Sequence, residues 1–400
     1  NHKLSPMKKI FTLTLLAILT SQLLAGHIEF AYHTSSPTVK MSGEFKIVEF
    51  DHCFITGKIG EPALPYQAVK LLLPPGEEAV SVKIIVENEE VLEAVYTIYP
   101  KQPSHPYSVG SDGTFHRNTD VYALSTAYPQ EALGNYSTHF LNGHSFLLTS
   151  FTPVKYVPST GQISYFHDAK IIVETRPTER AASALLNISI NDKTRKRIEG
   201  FAQNASMLSA YPAKSSREGE YDILIITPAS FQGYYQDLID LYYRRGYISE
   251  IATTESIAFN STGQDLQEKI RNYIIAEYQA HGIESVLLGG DVEHIPARGF
   301  YCMVQSSSVY EDSNIPSDLY YSALDGNWNT DGDGYWAEIG EDDLLPDVSV
   351  ARFPASTVAQ LQKILHKTIQ YQDNPVEGEL RNILMAGEQL KAHYPFQKDD

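Results

Sequence analysis

Hydrophobic residues change their period at Tyr221, and that change constrains the fold of this chain more than any other feature. Beyond it, Asp222-Ile223-Leu224-Ile225-Ile226-Thr227 forms a continuous apolar run, the pattern of a strand buried on both faces of a parallel sheet. Phe231, Tyr234, Tyr235, Leu238, Ile239 and Tyr242 then recur at helical spacing, and Gly246 closes that helix. A strand at 248–251 follows, then a helix bearing Leu266, Ile270, Tyr273, Ile274 and Tyr278 and closed by Gly282, then a strand at 285–288. The series resumes with a strand at 348–351, a helix over 356–370 carrying Val358, Leu361, Ile364 and Leu365, and a strand at 383–386. Alternation of this kind predicts a right-handed, mostly parallel α/β sheet in residues 221–400.

Residues 27–177 read differently, as short β-type runs separated by turns. Val80, Val82, Ile84 and Val86 alternate with Ser81, Lys83 and Ile85, and turn signals stand at Pro74-Pro75-Gly76, Ser111-Asp112-Gly113 and Pro158-Ser159-Thr160-Gly161. These predict a β-sandwich. Residues 178–220 are polar, contain Lys193-Thr194-Arg195-Lys196-Arg197, and read as a protease-accessible linker. At the N-terminal side, residues 7–25 have Lys8 and Lys9 ahead of the apolar run 10–19 and end on Ala25 before Gly26, the layout of a secretory signal peptide. No other stretch is long and apolar enough for a membrane helix. The residues ahead of Met7 read as upstream translation and residues 391–400 carry no capping signal, so the chain is expected to be part of something longer.

Thirty-one Lys and Arg stand against 49 Asp and Glu, a formal charge of -18 that disfavours nucleic acid and anionic membranes as partners. The two cysteines, Cys53 and Cys302, lie 249 residues apart and suggest neither a zinc site nor a disulfide framework. There is no Gly-x-Ser-x-Gly elbow, His-Glu-x-x-His pair or phosphate loop, and Gly289-Gly290-Asp291 lacks the later glycine of a dinucleotide fingerprint. Cys302 reads as a small buried hydrophobe rather than a nucleophile.

In open α/β sheets ligands gather at the carboxyl ends of the strands. Asp291 and Glu388 fall at such ends, and each taken alone reads as a loop or capping carboxylate. The segment 311–347 is more informative, since its 37 residues hold eleven Asp and Glu and no Lys or Arg. Carboxylates at this density repel unless a cation neutralises them. Asn329-Thr330-Asp331-Gly332-Asp333-Gly334 resembles the first half of a calcium loop, and Asp325 and Asn327 extend its alternation. Gly340 stands where an EF-hand needs Glu, so the expectation is a calcium site completed by carboxylates from elsewhere. Oxygen ligands without a nearby His favour calcium over zinc.

The pieces Leu287-Leu288-Gly289-Gly290-Asp291 with Ile295-Pro296-Ala297, Ser317-Asp318-Leu319-Tyr320-Tyr321, and Pro346-Asp347-Val348-Ser349-Val350-Ala351-Arg352-Phe353 resemble, in order, the gingipain-type cysteine peptidases of secreted bacterial zymogens. Upstream, Gly60-Glu61-Pro62-Ala63-Leu64-Pro65 and Pro153-Val154-Lys155-Tyr156 resemble that family's β-rich propeptide. The resemblance implies a caspase-like α/β domain, truncated here at its C-terminal side, whose Cys nucleophile and His lie beyond Asp400. It implies that Glu388 assists the His, and that Asp291 and Asp347 belong to a structural calcium site with Asp325, Asp331 and Asp333 as candidate loop ligands. It further implies protein or peptide substrates, the prodomain as intramolecular inhibitor, activation at Arg217 or within 193–197 at Arg197, and export to the medium or the bacterial surface. The chain alone is expected to be inactive. Two alternatives are a surface-processing transpeptidase of the same fold and a non-catalytic, calcium-dependent surface binding protein.

Overall fold

The computed structural model describes residues 26–383 apart from 104–112, 189–191, 213–218 and 306–308. The expected signal peptide, Arg217, Glu388 and residues 384–386 of the last expected strand lie outside the described residues.

The N-terminal half contains two four-stranded antiparallel sheets. One runs Gly26–His33, Gln162–Pro177, Glu77–Val91, with Val154–Val157 also paired to Gln162–Pro177. The other runs Cys53–Thr56, Leu64–Leu72, His144–Phe151, Ser137–Leu141. They share a core in which Ile28, Ala169, Ile171 and Val173 of the first sheet meet Val69, Leu71, Leu147 and Phe151 of the second. Val82, Ile84 and Val86 pack against this core as their alternation requires, whereas Val80 is exposed. The register pairs Glu174 with Ser81 and Thr175 with Ala79, so Val80 is the extra residue of a bulge and Ala79 takes the inward place.

The described residues of 178–220, a stretch expected to be a linker, are largely helical. Helices occupy Glu179–Ala184 and Asp192–Phe201, with short 3-10 turns at Leu185–Asn187 and Ala205–Ala210. Ile198, Ala202 and Tyr211 bury against Leu72, Leu141 and Phe146, which fastens the segment to the second antiparallel sheet. The polarity that suggested a linker belongs to the exposed side of these helices.

The C-terminal half carries a four-stranded sheet in the order Ser249–Thr253, Ile223–Thr227, Ser285–Leu288, Ser349–Arg352, with every pair parallel. Alternate residues of the central strands serve opposite faces. Leu224, Ile226, Val286 and Leu288 meet Ile270, Ile274 and Tyr278 of the helix Leu266–His281. Ile225 and Leu287 meet Leu238 and Leu241 of Gln236–Arg244 and Leu361 and Leu365 of Val358–Asp373. Helices on both faces explain why the strands read as unbroken apolar runs. The ends of the helices are set locally. Asp265 caps the N-terminus of Leu266–His281 by accepting from Glu268 N–H, and Gly282 ends it with φ 76°. Thr357 and Gln360 form a capping box on Val358–Asp373. Elements not anticipated include the hairpin Arg298–Gln305 with Val309–Ser317 and the short helices Thr254–Asn260 and Leu319–Ser322. Among the described residues no helix is long and apolar enough to cross a membrane.

Candidate functional site

Ser285 pairs with Ser349 and Leu288 with Arg352, so the parallel register fixes which end of the sheet each candidate residue occupies. Asp291 follows its strand at the carboxyl edge, whereas Asp347 precedes its own strand at the amino edge. The two do not share a site, because the full length of the paired strands lies between them. That corrects the expectation of a joint Asp291 and Asp347 ion site.

At the carboxyl edge, Asp291 acts as a turn carboxylate. Its Oδ1 accepts from Val292 N–H at 2.8 Å, and its carbonyl accepts from the N–H groups of His294 and Ile295 at 2.9 Å each. Gly289 is required just before it, since an added Cβ would lie 1.9 Å from the hydroxyl of the fully buried Tyr235. Arg352 holds this edge together. It forms a two-bonded pair with Asp318 at 2.8 and 2.7 Å and donates to the carbonyls of Gly290 and Ile295 at 2.9 and 2.8 Å. Three motif segments far apart in sequence therefore converge on one guanidinium, a geometry suited to its planar fork.

The acidic segment divides into two groups, within each of which carboxylate oxygens approach within 4.8 Å of one another: Asp325, Asp343 and Asp347, and separately Asp331, Glu338 and Glu341. The first is buried, with 5, 9 and 6% of these residues exposed. Both oxygens of Asp347 are held, Oδ1 by the Asn142 N–H at 2.6 Å and Oδ2 by the Leu324 N–H at 2.8 Å. Asp325 Oδ1 accepts from Asn187 at 2.9 Å, and Asp343 Oδ1 from Leu345 N–H at 3.1 Å. The Oδ2 atoms of Asp325 and Asp343 are buried without any hydrogen-bond partner. Burial pushes the Asp343 carboxyl up to about 7, with the Asp325 charge adding to the effect. Burial likewise raises Asp325 and Asp347, and the Asp325 charge lifts Asp347 further.

Beside the cluster sits Arg271, 4% exposed, on the helix Leu266–His281. Its N–H groups go to carbonyls of Tyr320, Ala323, Asp325 and Gly326 at 2.9 to 3.2 Å. One buried cation thus faces three carboxylates, with the more exposed Arg180 also acting on Asp325, and the hydrogen bonds of Arg271 are committed to backbone rather than to the orphaned oxygens. Two buried, unpartnered carboxylate oxygens among like charges fit a hard cation, and calcium takes such oxygen donors.

Of the expected ligands, the structure brings together Asp325 and Asp347, places Asp331 in the second group, and leaves Asp333 and Asp291 outside both. Asp333 instead accepts from Tyr335 N–H at 2.6 Å within an exposed turn. Asp343, Glu338 and Glu341 were not singled out, although all three lie in the acidic segment whose density was the signal. Asn142, Asn187 and Arg271 were not singled out as site residues, because their importance depends on contacts 49 to 205 residues away. Arg197 lies in the helix Asp192–Phe201 and donates to Asn142 Oδ1 at 3.2 Å, so its backbone is not the extended form a protease binds. Cys53 and Cys302 are both free thiols, and no hydrogen bond joins either to an imidazole among the described residues. Cys302 lies within the Arg298–Gln305 strand, opposite Asp312. Burial raises the Cys53 thiol to about 11, which suits a structural residue.

An antiparallel β half followed by an α/β half, joined by a folded segment, defines a two-part chain with a docked N-terminal portion. Residues 216–399 match the family model for Peptidase family C25, and residues 26–208 match Propeptide_C25. The chain belongs to the gingipain-type cysteine peptidase family and carries its propeptide. Gingipain R2 of Porphyromonas gingivalis is 23% identical over 233 residues, which are 57% of this chain and 27% of that protein. This chain therefore spans about a quarter of that relative's length. Among solved structures, the complex of Porphyromonas gingivalis RgpB pro- and mature domains aligns with TM-score 0.36 and 14% identity, over 45% of this chain and 93% of that one. Gingipain K from the same organism, in a structure addressing zymogenic latency, aligns with TM-score 0.31 and 20% identity, over 38% and 88%.

Proposed function

We propose that the whole protein is an exported cysteine endopeptidase made as a zymogen, reaching the medium or the bacterial surface through the leader at 7–25. In this reading residues 26–208 are its propeptide and residues from 216 onward begin its catalytic domain. The observation that carries it is the order of the two family matches on one chain, propeptide then peptidase. A finer reading, a β-sandwich propeptide ahead of a caspase-like domain, is supported by the two antiparallel sheets with a common core and by the parallel sheet with helices on both faces.

The chemistry is acyl transfer on protein or peptide substrates: thiolate attack on a peptide carbonyl, an oxyanion held by backbone N–H groups, and hydrolysis of the thioester. Glu388 is assigned to orienting the catalytic imidazole on the strength of the motif alone. Within the described residues, Arg352 and Gly289 shape the carboxyl edge where such a site would stand. Asp325, Asp343 and Asp347 would hold a calcium ion, which supplies the positive charge that the buried acidic loop lacks.

The prodomain acts in this scheme as an intramolecular partner. Its contacts are made mainly with the amino edge of the sheet and the helix Leu266–His281, through Asn142 to Asp347 and Tyr278, Asn187 to Asp325, and Lys193 to Glu284. Among the described residues these contacts anchor the prodomain at the amino edge. The test is expression of the complete gene. Thiol-dependent peptide cleavage appearing after loss of residues 26–208 supports the proposal, and a matured protein without it contradicts the proposal. The 400-residue chain alone is expected to be inactive. Cleavage by this chain that is lost in Cys302→Ala would overturn that expectation.

A further inference from the structure

The buried acidic cluster is built by both halves of the chain. Asn142 lies at the tip of the hairpin joining Ser137–Leu141 to His144–Phe151, with φ 50°, followed by Gly143 at φ 76°. This is the turn pattern that Asn-Gly pairs favour. Gly143 must remain glycine, since a Cβ would come within 2.5 Å of Ile188 N. The turn therefore presses against the segment that carries Asn187. From this position Asn142 donates its backbone N–H to Asp347 Oδ1 at 2.6 Å, and its amide to the Asp347 carbonyl at 2.8 Å and the Tyr278 hydroxyl at 2.9 Å. Asn187, 5% exposed, donates to Asp325 Oδ1 at 2.9 Å and accepts from Gln279 at 2.6 Å.

The division of labour between oxygens is the decisive feature. Asp325 gives Oδ1 to Asn187 of the propeptide half and leaves Oδ2 buried and unpartnered. Asp343, 9% exposed, likewise leaves Oδ2 unpartnered, and Asp347 spends Oδ1 on Asn142. Asp325 thus faces the propeptide with one oxygen and can face an ion with the other, Asp343 offers its unpartnered Oδ2 beside it, and Asp347, whose Oδ2 accepts from Leu324 N–H at 2.8 Å, can ligate through a remaining lone pair. We propose that cation binding at Asp325, Asp343 and Asp347 and docking of the propeptide through Asn142 and Asn187 reinforce one another, so that the ion acts as a clasp between the two halves. This inference rests on the calcium reading above and adds to it the partner that the site controls. An ion shared by the three carboxylates fixes Asp325 and Asp347 as acceptors for the two asparagines. Conversely, the asparagines hold the carboxylates in the geometry the ion needs, and linkage makes the two effects equal.

Calorimetric titration of the full chain with calcium chloride tests this, alongside Asn142→Gly and Asn187→Ala. Glycine accepts the backbone conformation at 142 and keeps the N–H donor while removing the amide. Each variant is expected to bind calcium roughly 5-fold or more weakly than the parent chain, the lower end of ordinary coupling between sites. Hydrogen exchange on the unmodified chain gives an independent reading that needs no substitution. The Asn142 amide is expected to exchange more slowly in calcium than in chelator. Calcium binding with unchanged affinity in both folded variants, or an Asn142 amide indifferent to calcium, would overturn the clasp and leave the ion site standing. No calcium binding by the folded parent chain would overturn the ion site and the clasp together.

Discussion

Two trios of acids come from one 37-residue segment, and both bring carboxylate oxygens within 4.8 Å of one another, yet they differ in burial and in the number of unpartnered oxygens, two in one and one in the other. Asp331, Glu338 and Glu341 sit on a loop where Glu341 Oε1 accepts the N–H groups of Thr330 and Asp331 at 2.7 and 3.1 Å. Asp331 is exposed and Glu338 and Glu341 are half-buried, so water and salt reach part of this loop and screen its charges, although Glu341 Oε2 has no hydrogen-bond partner. Asp325, Asp343 and Asp347 are sealed beneath the propeptide hairpin and the helix Leu266–His281, with Arg271 as a buried cation beside them. Acidic density alone therefore does not define an ion site. Repulsion becomes costly where burial removes the solvent and leaves oxygens without donors.

The comparison can be broken most forcefully at Arg271. Arg271→Met would strip four carbonyls of their donor and leave the buried carboxylates without their fixed positive neighbour, at a cost of about 3–5 kcal/mol in urea unfolding. A loss below about 1 kcal/mol would mean that the cluster is solvated. Next in size is the ion itself. Calcium at a hundredfold excess over its dissociation constant should stabilise the chain by about 2.7 kcal/mol. Asp343→Asn should abolish that gain, and Asp331→Asn should keep it. The reverse pattern in thermal melts would move the site to the exposed trio.

A pH series sharpens the contrast further. The folded carboxyls of Asp325, Asp343 and Asp347 are raised, so without metal the native state binds protons that the unfolded chain has released. Stability from this cluster is then present below the ordinary carboxylate range near pH 4. It is lost as pH rises towards about 7, where Asp343 ionises in the folded chain. The chelated chain should lose more stability between pH 5 and pH 8 than Asp343→Asn does, and calcium should remove most of the difference. Equal slopes in the two chelated proteins would contradict the raised carboxyls. The smallest effect is expected at the surface. Asp331→Asn and Glu338→Gln should each change unfolding free energy by no more than about 0.5 kcal/mol.

Much of the α/β half was legible in the sequence because its signals are local. The strand Ser285–Leu288 coincides with its apolar run, and Gly282 ends the preceding helix as its position suggested. The hairpin Arg298–Gln305 with Val309–Ser317 escaped notice because the second strand is rich in polar residues and exposed along nearly its whole length, so no alternation marks it. Residues 178–220 misled for a related reason: their charged faces dominate the composition, while a few residues such as Ile198 and Tyr211 fix them to the sheet. The crowding of acids was legible, but the membership of each group was not. Charge density pointed to the loop, but only the tertiary register shows that Asp291 and Asp347 lie at opposite edges of the sheet and that Asp343 completes the trio. Asn142 and Gly143 were not among the turns singled out in the sequence, and the donation from Asn142 to Asp347 arises across 205 residues.

The central claim is that the buried trio, shared with the propeptide, is the place where this chain holds a cation. A crystal structure of the full chain grown in calcium tests it directly. An ion with oxygen ligands from Asp325, Asp343 and Asp347 at about 2.3–2.6 Å is expected, with Asn142 and Asn187 still donating to Asp347 and Asp325. An ion bound only by Asp331, Glu338 and Glu341, with the buried carboxylates paired to one another through shared protons, would contradict it.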